Sequence, residues 1–247
     1  MNDEPHDRWA SVYDEAYQKS FGGIYSSLTD LTLDFVQTNT KSGASILDVG
    51  ASILDVGAGT GRLSIPLSEF GFTVVAVDAS SQMLRVLAQK DLKNRIQTIH
   101  SKVQDMDLGR SYDVVMCVFS VFCYLTEPED LHAAIEQIAK HASNGGYVLI
   151  DVPGYYSFRS LKFRSKSLDR TVEVTKIDTD RNIFEYSEKV VNKLKGTRDI
   201  FEDRFIIRYW EPDLILSKFE EFGMTVDGDL SYMFSGSGAQ YFVLTKD

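Results

Sequence analysis

The chain has 247 residues, of which 43% are hydrophobic and 25% charged, with a formal net charge of −10 at pH 7. That length can bury one large core, alone or with an elaboration, and the acidic balance argues against a nucleic-acid partner, which calls for a basic footprint. The start, Met1-Asn-Asp-Glu-Pro-His-Asp, lacks the basic-then-apolar layout of a signal peptide, and no apolar run approaches membrane-spanning length. Cys117 and Cys123 lie in an apolar stretch outside any CxxC or Cys/His cluster, so they read as reduced core thiols, with no metal site and a cytoplasmic location.

In chain order, a helical segment around Tyr13-Asp14 comes first. Ala44-Ser-Ile-Leu-Asp-Val-Gly50 is then repeated identically as Ala51 to Gly57. The period is far too short for a solenoid or propeller. A glycine loop follows only the second copy, which should therefore hold the strand, and the first is either an artefactual duplication or a genuine short insertion. The run Ile53-Leu-Asp-Val-Gly-Ala-Gly-Thr-Gly-Arg-Leu63 is an apolar strand entering three glycines at alternate positions. A second strand, Phe72 to Val77, ends in Asp78, where a carboxylate can accept hydrogen bonds from a ribose diol. The dinucleotide pattern G-x-G-x-x-G would need a glycine at Arg62 or Ser64.

The doubly wound rhythm continues. Ser80 can cap a helix carrying Met83, Leu84, Leu87 and Ala88. Ile96–His100 and Tyr112–Val118 read as strands, Thr126-x-x-Glu129 as a capping box, and Asn144-Gly-Gly146 as the end of that helix before a strand at Tyr147–Val152. Pro212 and Gly223 bracket a helix with Leu214, Leu216, Phe219 and Phe222, and Met224–Val226 and Tyr241–Thr245 give a last hairpin. Between them, Thr171–Ile177, Ile183–Val190 and Phe201–Tyr209 alternate with period two, as antiparallel strands do. Residues 155–210 hold 13 of the 26 Lys and Arg but 9 of the 36 Asp and Glu, a net +4. Those cations are either a solvated face or a basic wall toward an anionic substrate. The division predicted is a core of 1–154 plus 211–247, including a helical lid over 1–40, and an insert of 155–210.

Asp55-x-Gly57-x-Gly59-x-Gly61 resembles motif I of the class I S-adenosylmethionine-dependent methyltransferases. The resemblance implies a seven-stranded, mostly parallel, Rossmann-like α/β sheet, here with an inserted antiparallel sheet. It also implies that Asp55, Gly57, Ala58, Gly59 and Gly61 cradle the amino-acid end of S-adenosylmethionine, with Asp78, Ala79 and Met83 on the ribose side. Asp105, flanked by Gln104 and Met106, would meet the adenine, and Phe119 and Ser120 would complete the site; S-adenosylhomocysteine would be the product. Phe119-Ser-x-x-x-Tyr124-Leu125, with Asp151-Val-Pro-Gly-Tyr-Tyr156, is similar to small-molecule N-methyltransferases that dimethylate amino groups of nucleotide-linked deoxysugars. By that likeness Tyr13 and Tyr25 line the pocket and Tyr124 faces the acceptor nitrogen. Tyr155-Tyr156 stands where that subfamily tends to have a tryptophan pair.

Methyl transfer from a sulfonium is an in-line displacement in which positioning supplies most of the acceleration. An amine acceptor must first lose its proton, and a hydroxyl acceptor needs a nearby base. No histidine lies at the end of the fourth or fifth strand, and His100, His132 and His141 read as ordinary surface or core residues. That favours an amine; hydroxyl or carboxylate methylation, with Asp151 as base, is the second reading. Tyr13, Tyr17, Tyr25 and Tyr124 are either ring faces for the cationic reactants or packing residues. The partner expected is a small, anionic acceptor, and a homodimer is compatible with this reading. An NAD-linked dehydrogenase and a non-catalytic binder are the rivals from other classes.

Overall fold

The second copy of the repeat forms the first strand, β1 (Ser52–Val56), and Ala44–Val49 of the first copy lie outside the described residues. The computed structural model describes residues 4–40, 50–193, 198–234 and 238–246. The strands that follow are β2 (Thr73–Asp78), β3 (Gln97–His100), β4 (Tyr112–Cys117) and β5 (Ala142–Val152). Then come β6 (Leu161–Arg164), β7 (Leu168–Asp178), β8 (Ile183–Asn192), β9 (Asp199–Arg208), β10 (Met224–Asp229) and β11 (Gln240–Lys246). One sheet of seven strands runs β10-β11-β5-β4-β1-β2-β3, and a second of four runs β6-β7-β8-β9. In the first, β1 to β5 pair in parallel, and β11 is antiparallel to both β5 and β10. The second is wholly antiparallel.

The helices are α1 (Tyr13–Asn39), α2 (Ser64–Glu69), α3 (Ser81–Lys90), α4 (Pro128–His141) and α5 (Pro212–Glu221). Successive strand residues face opposite ways, so the seven-stranded sheet carries two cores. Ile53, Val74, Val114 and Met116 meet Leu28 and Val36 of α1 and Leu67 of α2. Leu54, Val75, Val115 and Ile150 meet Leu131, Ile135 and Ile138 of α4 and Ile215 and Phe219 of α5. Each fully buried aliphatic side chain contributes roughly 1.5–3 kcal/mol relative to exposure. Both cysteines are buried and free.

Four local expectations shift. α4 has Glu127 at its N-cap with no side-chain cap bond, because Pro128 sets the first helical φ and displaces the Thr126 box. The same helix ends at His141, whose Nδ1 bonds the Gln137 carbonyl (2.6 Å) while Nε2 accepts from the Leu108 amide (3.0 Å). Asn144–Gly146 instead lie in an irregular stretch of β5, where pairing jumps from Tyr112–Ala142 to Val114–Tyr147. On α5 the inward pair is Ile215 and Phe219, spaced i, i+4, and Leu214 is exposed. Strand β6 had no alternating signal of its own.

α1 is interrupted at Gly22, where φ is 44° and ψ −109°. Before the break, Ala16, Tyr17 and Phe21 pack with Trp9 against Leu168 and Val190 of the four-stranded sheet. After it, Leu28, Leu31 and Val36 lie on the seven-stranded sheet, where Thr32 Oγ1 and Tyr241 Oη, both buried, share a hydrogen bond of 2.8 Å. Among the described residues no helix is long and apolar enough to cross a membrane.

Candidate active site

At the carboxyl ends of β1, β2 and β4 the chain leaves a cavity of about 210 Å³, the position where open α/β sheets take ligands. Its floor is the glycine loop. The amides of Gly57 and Ala58 donate to the Val77 carbonyl at 2.8 and 3.1 Å, so the loop is fastened to the end of β2. Gly57 has φ +71°, and a Cβ there would come within 2.5 Å of Val121 Cγ2. At Gly61 the obstacle would be Leu87 of α3, 2.7 Å away, so this glycine serves helix packing. Gly59 differs: φ is +55° and a Cβ would meet nothing within 4 Å, so its half-buried backbone forms a cradle on the cavity wall.

Asp78 braces the same loop. Its Oδ2 accepts from the Gly59 amide and its Oδ1 from the Ser80 amide, both at 2.7 Å. Burial raises the Asp78 pKa, and those two amides oppose the shift. Ser80 caps α3 through the Met83 amide (2.9 Å). Asp55 lies beneath the loop, its Oδ2 accepting from the Ser64 hydroxyl (2.6 Å), and burial pushes its carboxyl up to about 6.

The opposite wall is aromatic. Tyr13, Tyr25, Phe119 and Tyr124 line the cavity, and the Arg62 guanidinium sits 4.6 Å from both the Tyr25 and Phe119 ring centres. Burial raises all three phenols, Tyr25 to about 12 and Tyr13 and Tyr124 well above the ordinary tyrosine value. They are therefore neutral hydrogen-bonding groups at physiological pH. Tyr17 stands behind this wall, stacked 4.2 Å from Tyr13. Phe119 and Ser120 both have positive φ, 74° and 68°, and this tight turn puts the phenylalanine on the wall. Ser120 faces away, its amide donating to Asp151 Oδ1 (2.9 Å). Asp151 is 2% exposed, is pushed by burial up to about 6, and does not line the cavity.

Of the residues singled out in the sequence, Tyr13, Tyr25, Asp55, Gly57, Ala58, Gly59, Asp78, Ala79, Met83, Gln104, Phe119 and Tyr124 meet around this one cavity. Gly61, Asp105, Met106 and Ser120 do not line it. Met106 is 1% exposed in the core beneath α4, and the apolar wall residue of that segment is Val103. Asp105 is exposed, and Gln104 takes the wall position.

The largest omission is His6. Glu4, Pro5 and His6 cover the cavity mouth from a segment that carried no periodic signal. No histidine ends β4 or β5, but His6, which the sequence did not single out, brings its Nε2 to 2.9 Å from Tyr124 Oη. Nothing local betrays it, since the side chains that bond it, Tyr124, Glu188 and Asp203, are more than a hundred residues away. Asp7 bonds Ser80, Asp14 bonds Thr60 and Lys90, and these contacts hold the lid onto the glycine loop and α3. Among the described residues none of 155–210 lines the cavity; Lys189, Lys193, Arg204 and Arg181 are instead paired with Glu202, Asp169, Glu185 and Glu127. Among the described residues no cluster of three or more His, Cys, Asp or Glu could hold a metal ion.

A parallel sheet with a braced glycine loop and a strand-end aspartate defines a nucleoside-binding α/β protein. Residues 53–146 match the family model described as Methyltransferase domain. The cypemycin N-terminal methyltransferase of a Streptomyces species is 32% identical over 174 residues, covering 67% of this chain and 68% of that protein. The dTDP-3-amino-3,4,6-trideoxy-alpha-D-glucopyranose N,N-dimethyltransferase of Streptomyces venezuelae is 34% identical over 144 residues, 58% of this chain and 56% of that one. The chain thus aligns with little more than half the length of that sugar enzyme. Among solved structures, an S-adenosylmethionine-dependent methyltransferase from Clostridium acetobutylicum superposes with a TM-score of 0.80 at 15% identity, covering 96% of this chain and 98% of that one. Streptomyces venezuelae DesVI gives 0.73 at 23% identity, over 96% and 98%. At such identities the superpositions speak to the fold. The chain belongs to the S-adenosylmethionine-dependent methyltransferase family, and S-adenosylmethionine is its methyl donor.

Proposed function

We propose that the protein methylates the amino group of a small molecule, with a nucleotide-linked amino sugar as the first candidate. Bound S-adenosylmethionine supplies an electrophilic methyl group on a sulfonium. In this reading Gly57, Ala58 and Gly59 hold its amino-acid end, Asp78 accepts from the ribose hydroxyls, and Gln104 and Val103 border the adenine. Tyr13 and Tyr25 offer neutral phenols and ring faces beside the sulfonium, and Tyr124 orients the acceptor nitrogen. Aligning nitrogen, methyl and sulfur supplies most of the acceleration, about 7–11 kcal/mol at the upper end. Residues 1–154 with 211–247 form the methyl-transfer core in this proposal, and 155–210 the acceptor-side insert. A nucleotide-linked acceptor is anionic, which suits the insert's net +4, and the two reduced thiols suit the cytoplasm.

The observation that carries the amine reading is the composition of the cavity wall. It presents the tyrosines Tyr13, Tyr25 and Tyr124 opposite the glycine loop, and Asp151, the carboxylate proposed as base for hydroxyl methylation, does not line the cavity and accepts from the Ser120 amide. The relatives named above are N-methyltransferases as well. The test is transfer of labelled methyl from S-adenosylmethionine to dTDP-3-amino-3,6-dideoxy-α-D-glucopyranose, to peptides with a free N-terminus, and to their hydroxyl counterparts. Label on the amines supports the reading; label on the hydroxyl compounds alone overturns it.

A further inference from the structure

His6 is 5% exposed, yet its backbone is in the left-handed region at φ 70°. The conformation is held from outside, because the His6 amide donates to Asp203 Oδ2 of β9 at 2.6 Å. Strained backbone of this kind persists where surrounding structure fixes it, and clusters at functional sites. Its effect is to insert the ring between two chemistries. Nε2 meets the Tyr124 hydroxyl at 2.9 Å on the cavity side, and Nδ1 lies 3.3 Å from Glu188 Oε2 on the insert side. Glu188 is itself fully buried and is ion-paired through Oε1 to the buried Arg170. Neither His6 Nδ1 nor Glu188 Oε2 has another hydrogen-bond partner.

A buried carboxylate facing Nδ1 selects the imidazole tautomer with its proton on that nitrogen. Nε2 is then a lone pair accepting from Tyr124, and the Tyr124 oxygen is left to accept from a group in the cavity. An acceptor amine arrives mostly as an ammonium ion, which has no lone pair to attack with. We propose that His6, oriented by Glu188, is the base that deprotonates the acceptor ammonium, with the Tyr124 hydroxyl relaying the proton. This inference rests on the amine reading above. One N–H proton passes from the ammonium to Tyr124 Oη as the Oη proton passes to His6 Nε2, so the phenol ends unchanged. The freed nitrogen pair forms the N–C bond while the S–C bond breaks and its pair returns to sulfur. The imidazolium is left opposite Glu188. Other groups facing the ring are Trp9, Tyr13 and Tyr17, Phe205 of β9 and, behind Glu188, Arg170, while Asp203 of β9 meets the His6 amide.

The experiment compares the full-length protein with His6→Gln, using dTDP-3-amino-3,6-dideoxy-α-D-glucopyranose and a free-N-terminus peptide as acceptor probes. At pH 7 kcat/KM is expected to fall about 100-fold, within the range of general-base catalysis. The gap should close by about tenfold per pH unit toward the pKa of the amine, where the substrate deprotonates unaided. In His6→Ala, added imidazole should restore turnover in proportion to its free base. A loss of equal size at every pH, with no imidazole rescue, would make His6 a packing residue and overturn the relay. A second readout needs neither turnover nor a stable variant: nitrogen-15 chemical shifts of His6 in the wild-type complex with S-adenosylhomocysteine. The Nδ1-protonated tautomer is expected, and the Nε2-protonated form overturns the proposal. The amine reading is judged separately on the wild type alone, by whether any amine probe is methylated.

Discussion

The cofactor side of the cavity and its lid side do the same job of lining a wall, by opposite means. On the cofactor side the restraints are backbone amides of one βαβ unit: Gly57 and Ala58 to Val77, Gly59 and Ser80 to Asp78. On the lid side they are side chains drawn from the whole chain, with His6, Tyr124, Arg170, Glu188 and Asp203 meeting through charge and ring contacts. The first arrangement is set by the backbone and has no room for a Cβ at Gly57. The second is buried among aromatic rings and depends on Glu188 having its two partners, His6 and Arg170.

The widest separation between the two sides should come from the buried pair. Removing one partner strands the other charge without water, so Arg170→Met or Glu188→Leu is expected to cost about 3–5 kcal/mol. The double variant should recover much of that loss, and urea denaturation of the three variants measures it. On the cofactor side, Gly57→Ala meets both a positive φ and Val121, and should cost about 1–3 kcal/mol. Gly59→Ala, with the same hand of φ but open space, should cost about 1 kcal/mol while still weakening S-adenosylhomocysteine in calorimetry. Equal stability losses at the two glycines would erase the distinction drawn between them.

Acid should act on the two sides with opposite sign. Asp55, near 6 when folded against an ordinary 3.8, binds its proton more tightly in the folded protein. It therefore adds stability as pH falls from about 6 toward 4, and subtracts it at neutrality, by up to about 3 kcal/mol. Asp55→Asn should raise the melting temperature at pH 7 and lose that advantage at pH 4. Burial alone would raise Glu188, but His6 and Arg170 beside it hold it below the usual glutamate value. Its stabilisation is present above about 4.3 and is lost as pH falls through its folded value. Melting curves of Glu188→Gln should thus converge on those of the parent only in strong acid. The smallest effect belongs to Lys90→Ala. That half-exposed latch to Asp14 should change stability by no more than about 0.5 kcal/mol, and faster hydrogen exchange in residues 4–14 would be its main trace.

This contrast also explains what the sequence could reveal. The glycine loop, Asp78 and the parallel strands follow from spacing because their restraints are local and of the backbone. Ser80 as a cap and Pro212 as a helix start were legible for the same reason. His6 was not, since a histidine between a proline and an aspartate says nothing about a glutamate 182 positions later. Val103 and Gln104 line the cavity where Met106 and Asp105 were expected, three positions and one away, because a short 3-10 turn at Val103–Asp105 decides which side chain of Ser101–Asp107 faces it. The insert's cations left a solvated face and a wall toward the substrate both open, and composition cannot show that Arg170, Arg181, Lys189, Lys193 and Arg204 would each meet a carboxylate.

The break at Gly22 divides α1 into two lever arms with separate moorings. The forward arm is moored to the insert through Tyr17 and Phe21, the rear arm to the main sheet through Leu28 and Val36. An unbroken rod would carry any tilt of its tip into the interior. A jointed one confines that tilt to a few turns, so the mouth of the cavity can be disturbed while the platform beneath it keeps its register.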